Sequence, residues 1–244
     1  MRLNNNIQEN YLFVLDQIAD AAQKAGRKLE DITLVVVTKG HPLSIVHEAI
    51  AAGAMNLGEN YAEEASQKII STPDDSSVKW HMIGHVQSRK AKLICQHFDT
   101  LDSLDRIKLA RRLDRFAGEF GRRLPVLLEC NVSGETSKFG FQADKPDRWS
   151  DLLPEIEEII KLQNLEIRGL MTMAPITAEN EQARPYFARL RQLKDFLASK
   201  FPEAHWSELS MGMSADFEAA IQEGATIVRI GTAILGPRAV VGNI

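Results

Sequence analysis

The segment ITLVVVTK, residues 32–39, decides the fold class of this chain. Its apolar, β-branched run is too continuous for a strand with one face in water, so it predicts a parallel strand buried on both faces. Seven further short runs of strand-like composition follow it. They are Ala54–Leu57, Lys79–Ile83, Phe98–Leu101, Pro125–Val132, Leu165–Met171, His205–Leu209 and Thr226–Ile230.

Segments with helical periodicity alternate with these runs. The predicted helices are Ile7–Ala25, Ser44–Ala52, Tyr61–Ile70, Gln87–Cys95, Asp105–Phe120, Asp151–Lys161, Pro185–Lys200 and Ala215–Gln222. Eight strands alternating with helices predict an α/β fold, a single (β/α)8 TIM-type barrel with an extra N-terminal helix. The alternative is an open doubly wound sheet, but no Gly-x-Gly-x-x-Gly turn follows any of the strands.

Composition narrows the class of protein. The chain has 244 residues, 29 Lys and Arg against 33 Asp and Glu, and a formal net charge of −4. This length suits one barrel domain, residues 1–244, and the acidic balance argues against nucleic acid as a partner. The cluster Asp74–Ser77 is the expected mobile loop, too short to divide domains.

The expected location is the cytoplasm. No stretch is long and apolar enough for a membrane helix, and the polar segment Met1–Asn10 lacks the apolar core of a secretory signal. The two cysteines, Cys95 and Cys130, are too few for a disulfide framework, so we expect buried, reduced thiols.

Lys39 is the first candidate for chemistry. In a parallel barrel the functional face lies at the carboxyl ends of the strands, and Lys39 directly follows the first strand. Apolar surroundings disfavour the ammonium and lower its pKa, which is the condition for a nucleophile that forms a Schiff base. The alternative is a lysine that extends from the strand end into water.

Two turns suggest a phosphate site opposite this lysine. Ser210-Met211-Gly212-Met213-Ser214 follows the seventh predicted strand, and Gly231-Thr232 follows the eighth. Loops at these positions commonly bind phosphate in β/α barrels, although each turn alone could be an ordinary entry into a helix. Together with Lys39 they indicate pyridoxal 5′-phosphate.

Metal and polyanion sites are weaker hypotheses. His81 and His85 lie four residues apart in a strand and its loop, with no third ligand in sight, so hydrogen bonding is expected and no metal. A basic run on one helix and its exit is expected to be a solvated face. It consists of Arg111, Arg112, Arg115, Arg122 and Arg123.

Several segments together resemble a known family. They are Val36–Lys39, Leu57–Tyr61, Trp80–Gln87, Asn131–Ser133, Lys138–Gly140, Gly169–Met173, Ser210–Asp216 with Glu218, and Val228–Ile234. With them the chain resembles the pyridoxal phosphate homeostasis protein family, over about Ile7 to Arg238. The resemblance implies the barrel of the alanine racemase N-terminal domain.

The resemblance also implies roles for individual residues. Lys39 is expected to hold pyridoxal phosphate as an internal aldimine, and Arg229 to face the pyridine nitrogen. Ser210, Gly231 and Thr232 are expected to hold the phosphate.

The candidate set is completed by Asn60, similar to the family asparagine near the cofactor ring, and by Gly212 of the phosphate turn. The chain departs from the family pattern at Leu57, where phenylalanine is usual, and at Arg89, where asparagine is usual. These departures concern loop packing and ligand access.

The function implied is pyridoxal phosphate homeostasis without an assigned turnover reaction, with cofactor-dependent enzymes as conceivable clients. The main alternative is an amino-acid racemase or another enzyme that uses the same cofactor. A racemase needs a second acid/base, which its family takes from an added domain, and only Gly231–Ile244 follow the last predicted strand. We therefore expect no catalytic residue and a monomer. A third hypothesis is a phosphate-binding barrel without pyridoxal.

Overall fold

The computed structural model describes residues 6–73, 77–175 and 180–238 of the chain. The strands are β1 (Thr33–Val37), β2 (Asn56–Glu59), β3 (Lys79–Met82), β4 (Thr100–Leu104), β5 (Leu124–Asn131), β6 (Phe141–Gln142), β7 (Leu165–Met171), β8 (Glu208–Ser210) and β9 (Ile227–Ile230). The α-helices are α1 (Ile7–Lys24), α2 (Leu43–Ala51), α3 (Ala62–Ile70), α4 (Ala91–His97), α5 (Ile107–Glu119), α6 (Leu153–Ile160), α7 (Arg184–Lys200), α8 (Phe217–Gln222) and α9 (Thr232–Leu235). Short 3₁₀ helices lie at Leu29–Asp31, Ser88–Lys90, Pro146–Leu152 and Asn180–Ala183.

Eight of the strands close into a parallel barrel, as predicted. Their order is β4-β3-β2-β1-β9-β8-β7-β5, and pairing between β4 and β5 closes the ring. Strand β1 pairs with β2 on one side and with β9 on the other. This closure places the ends of β1, β2 and β9 side by side. The strand β6 was not predicted, and it pairs with β5 alone.

Most of the predicted strands have different bounds in the structure; the predicted Ala54–Leu57, for example, is Asn56–Glu59. Two further differences have a physical reason. The predicted strand Phe98–Leu101 is β4, which begins at Thr100 and continues through the buried polar residues Asp102 and Ser103. An apolar run could not reveal that extension, because Asp102 and Ser103 are buried polar residues with hydrogen-bond partners, Ser210 for Asp102 and Gly84 O for Ser103. The predicted strand His205–Leu209 is shorter at its start, since Trp206 lies before β8 and donates its indole N–H to Phe201 O at 2.9 Å.

The main core lies between the barrel and its helices, and a smaller apolar cluster is formed by Val35, Leu127, Met171 and Ile227. Cys95 and Cys130 are free and buried. Burial raises the pKa of the Cys95 thiol to about 12, so this thiol is inert. Within the described residues, no helix is long and apolar enough to cross a membrane. Of the expected mobile loop, residues 74–76 lie outside the described residues.

Candidate functional site

A cavity of about 400 Å³ opens where the barrel strands end. Its wall includes five of the seven residues predicted to bind a cofactor, namely Lys39, Asn60, Arg229, Gly231 and Thr232. They lie on β9 or just after β1, β2 and β9, which are neighbours in the barrel. Strand pairing therefore brings together side chains that are far apart in the sequence.

Lys39 is a half-buried residue at the wall of this cavity, two positions after the end of β1. Burial lowers the pKa of its ammonium, the cationic Arg238 and Arg229 lower it further, and Glu59 opposes them. Among the residues the structure describes, none makes a hydrogen bond or ion pair with the amine. The neutral, nucleophilic amine is thereby favoured.

A buried ionic network holds the backbone on both sides of this lysine. We call it the β1 clamp, and it consists of Thr38, Glu59, Glu64 and Lys68. The Lys68 ammonium donates to Thr38 O at 3.0 Å and to Glu59 Oε1 at 2.8 Å. It also lies 2.7 Å from Glu64 Oε1, which accepts the Gly40 N–H at 3.0 Å. The Thr38 hydroxyl donates to Glu59 Oε1 at 2.7 Å.

Sequence analysis did not predict the β1 clamp, although an acidic residue at the end of a buried strand suggests that a partner is needed. Glu59 ends the strand β2 and is fully buried, and a buried carboxylate needs hydrogen bonds or a cationic partner. Burial raises the pKa of Glu59, while its hydrogen bonds from Lys68 and Thr38 act in the opposite direction. The clamp therefore positions the reactive lysine through its neighbours in the chain.

Asn60 follows Glu59 and borders the cavity. Its amide oxygen Oδ1 is buried and has no hydrogen-bond partner in the described part of the chain. A Cβ atom at Gly84 would lie 2.5 Å from Asn60 O, so glycine is required there for this close approach. The site thus presents one acceptor that a ligand can satisfy.

Arg229 is buried and held from two sides. One guanidinium nitrogen donates to Ser210 Oγ at 2.7 Å and another to Thr172 O at 2.8 Å. The Ser210 hydroxyl lies 3.3 Å from Asp102 Oδ2, and His81 Nδ1 lies 3.2 Å from Asp102 Oδ1. Burial lowers the pKa of Arg229, and nearby carboxylates including Asp102 oppose that effect. This polar chain fixes the guanidinium at the cavity wall.

Ser210 and Gly212 lie behind the cavity. The Ser210 hydroxyl is fully buried and interacts with Asp102 and Arg229. Gly212 has a φ of +95°, and a Cβ there would lie 2.6 Å from the Cβ of Ala220 in α8. The neighbouring Ser214 borders the cavity instead. A direct contact of Ser210 or Gly212 with phosphate stays a prediction.

Arg238 was missed as a functional residue, although the family resemblance extended to it. It borders the cavity and lowers the pKa of both Lys39 and His41. Within residues 6–73, 77–175 and 180–238, no hydrogen bond or ion pair satisfies its guanidinium. A Cβ at Gly40 would lie 3.0 Å from its side chain. Nothing but tertiary structure brings this C-terminal arginine beside Lys39.

The two histidines of β3 and its following loop each lie beside a carboxylate. His81 contacts Asp102, as described above, and His85 Nδ1 lies 3.0 Å from Asp105 Oδ2. The His85 ring also stacks on Phe139, with ring centres 3.8 Å apart. In the described part of the chain, no group of three His, Cys, Asp or Glu residues could hold a metal ion.

Comparison with known proteins identifies relatives of the whole chain. The alanine racemase N-terminal domain family matches residues 14–239. The pyridoxal phosphate homeostasis protein of Vibrio alginolyticus is 38% identical over 237 residues, covering 96% of this chain and 98% of that protein. Its namesake from Pseudomonas aeruginosa is 43% identical over 235 residues, covering 96% of each.

Solved structures agree with this relationship. PipY of Synechococcus elongatus, with pyridoxal phosphate bound, is 34% identical with a TM-score of 0.81, covering 94% of this chain and 100% of that one. An alanine racemase of Clostridium difficile is 17% identical with a TM-score of 0.69, covering 94% of this chain and 56% of that one. The racemase comparison shows the shared fold alone.

Proposed function

Because the chain belongs to the pyridoxal phosphate homeostasis protein family, we propose that it binds pyridoxal 5′-phosphate at the Lys39 cavity and serves the homeostasis of this cofactor. One observation carries the assignment: an amine with a lowered pKa and no partner among the described residues borders a cavity of about 400 Å³. The aldehyde of pyridoxal phosphate condenses with such a neutral primary amine and releases water.

The residues at the cavity fit this cofactor. Lys39 provides the amine, Asn60 Oδ1 is an acceptor without a partner among the described residues, and Arg238, which also has none there, is a cation for a phosphate. Ser214 and Thr232, which both carry hydroxyl groups, border the same cavity. A phosphate is satisfied best by such a combination of a guanidinium and neutral donors.

For the phosphate we retain the predicted residues Ser210, Gly212, Gly231 and Thr232, and we add Arg238. Gly231 leaves room near β1, since a Cβ there would lie 3.1 Å from Val37 O. Ser210 supports the site through Arg229, to which its hydroxyl is bonded. Gly231 and Ser210 thus shape the cavity even without touching the phosphate.

Arg229 is proposed to face the pyridine nitrogen. A guanidinium keeps its protons in the working pH range and can only donate, so the nitrogen beside it stays unprotonated. A neutral pyridine ring is a weaker electron sink than a protonated one. Arg229 therefore suits a protein that holds the cofactor and transforms no substrate efficiently.

A cofactor-dependent racemase is the rival function. The homeostasis relatives share 38–43% identity with the chain along almost their full length, whereas the racemase shares 17%. The sequence relationship supports homeostasis. We further propose that the protein is a single-domain monomer of the cytoplasm, where reduced Cys95 and Cys130 persist, and that cofactor-dependent enzymes are its clients.

The experiment is a spectrum of the purified protein followed by borohydride reduction and peptide mapping. We expect an absorption band at longer wavelengths than the absorption of the protein without cofactor. After reduction, the cofactor should be attached to the peptide that contains Lys39. A colourless protein that takes up no added pyridoxal phosphate, or attachment to another lysine, would refute the proposal. The first outcome would favour the barrel that binds phosphate without pyridoxal.

A further inference from the structure

A second chamber of about 380 Å³ adjoins the cofactor cavity. The two spaces share Asn60, Ile83 and Met173 in their walls. The chamber extends from these residues towards Glu129 on β5 and towards His85 after β3. None of the residues assigned to the cofactor, apart from Asn60, borders it.

Glu129 is the unexplained group in this chamber. Its residue is 3% exposed, and its carboxylate oxygen Oε2 is buried with no hydrogen-bond partner. No described side chain or backbone group donates to this carboxyl. The charged groups that act on it are Asp105, which raises its pKa, and Arg229, which lowers it. Burial contributes most, and together these effects raise the pKa of Glu129 to about 7.

Two other polar side chains of the chamber already lie beside carboxylates. His85 lies 3.0 Å from Asp105, and Lys90 lies 2.5 Å from Glu63. The two buried atoms left without partners at its wall, Glu129 Oε2 and Asn60 Oδ1, are both acceptors when the carboxyl is ionised. A buried acceptor without a donor is costly, so the chamber is complementary to a ligand rich in N–H donors.

We propose that this chamber binds a small primary ammonium compound, of the class of simple α-amino acids, whose ammonium donates to Glu129 and to Asn60 Oδ1. An ammonium supplies three donors and one positive charge, which matches two acceptors and one carboxylate. Its charge also favours the ionised form of Glu129. Binding of the amine to the chamber does not depend on the proposed function. Its position beside the cofactor does, because that rests on the proposed binding of pyridoxal phosphate at Lys39.

Glycine is the probe, and acetate is its counterpart without the ammonium. Calorimetric titration of the purified protein at pH 8, where Glu129 is mostly ionised, should show binding of glycine and none of acetate. Glu129→Gln keeps the shape and removes the charge, so glycine affinity should fall about 10- to 100-fold. Glu208→Gln is the matched control, because Glu208 is a partly buried glutamate whose pKa is also raised by burial but which borders a different pocket. It should leave the affinity unchanged.

Lys39→Met separates this inference from the cofactor assignment. Glycine binding that persists in Lys39→Met and is lost in Glu129→Gln supports the chamber, whether or not the cofactor is bound at Lys39. Glycine binding that is lost in Lys39→Met and kept in Glu129→Gln means reaction with the cofactor, which overturns the chamber and leaves the proposed function intact. Equal affinity for acetate, or no glycine binding, also overturns it.

Discussion

Two lysines on opposite sides of the β1 end differ in one respect that decides their roles. Lys68 is buried, and its ammonium lies within 3.0 Å of three oxygens, on Thr38, Glu59 and Glu64. Lys39 is half-buried at the cavity, and no described residue bonds to it. The more deeply buried lysine is the satisfied one. Partners, and not depth of burial, therefore distinguish the structural lysine from the lysine that is proposed to bind the cofactor.

The two regions around these lysines also depend on each other. The Lys68 side fixes Thr38 and Gly40, the residues that flank the reactive lysine. The Lys39 side leaves its amine beside two arginines that lower its pKa. Stability is expected to depend on the paired Lys68, and cofactor attachment on the amine of Lys39, to which no described residue bonds. The following substitutions test these two expectations separately.

The largest expected effect is that of Lys39→Ala on covalent cofactor attachment. Attachment should be lost completely, because no other amine replaces it, whereas the fold should persist because this amine has no partner among the described residues to leave behind. The absorption band and the mass increase after borohydride reduction measure the first effect, and thermal unfolding measures the second. A reducible band that survives in the variant would show that another lysine carries the cofactor.

Lys68→Met should have the opposite result. It leaves Glu59 buried without its cation, and removing one partner of a buried pair costs about 3–5 kcal/mol of unfolding free energy. Urea denaturation measures this loss, and Lys39 should still take up the cofactor in the folded fraction. The exposed Lys92 offers the control Lys92→Met, which should change stability by less than about 0.5 kcal/mol. Equal stability of both variants would show that the clamp is dispensable.

Glu129→Gln should change the pH dependence of stability. The carboxyl has a pKa of about 7 in the folded protein against 4.5 as its reference value, so between these pH values the folded state binds more protons than the unfolded state. Stability of the native protein therefore falls as the pH rises through this window, by roughly 3 kcal/mol in total, and is then constant with respect to this group. The variant lacks this contribution. Urea denaturation from pH 4 to 8 checks it, and parallel curves for both proteins would contradict it.

The smallest expected effect is that of Arg238→Gln. Loss of a charged hydrogen bond to phosphate costs about 1.5–3 kcal/mol, so cofactor affinity should fall about 10- to 100-fold. Because the arginine also lowers the pKa of Lys39, attachment should require a higher pH in the variant. Titration with pyridoxal phosphate measures both effects. Arg111→Gln, on the outer surface beside Glu158, should change neither.

The fold was predictable because its signal is local. Continuous β-branched runs such as Val35–Val37 indicate buried strands, and the alternation of these strands with helices is compatible with few architectures. The errors arose where this signal fails. Strand β4 extends through the buried polar residues Asp102 and Ser103, which are hydrogen-bonded to Ser210 and to Gly84 O. The two-residue β6 is too short to show any period and depends on pairing with β5.

The site was predictable in part, for a related reason. Lys39, Asn60, Arg229, Gly231 and Thr232 are at strand ends, and strands of a parallel barrel all end at one face. Other residues carry no such positional signal. Arg238 and Glu129 are identified by their surroundings: Arg238 borders the cavity, and Glu129 borders the chamber with an oxygen to which no described group donates.

By itself the sequence determined the order of strands and helices, the parallel barrel and the face that carries the reactive groups. These features follow from periodicity within a few residues and from the direction of the chain. Tertiary structure alone decided which polar groups are paired. Lys68 meets Thr38 across 30 positions, and Ser210 meets Asp102 across 108. Such groups come together only when the barrel closes. The free energy of a buried charge depends on the atoms that then surround it, which the local sequence does not specify.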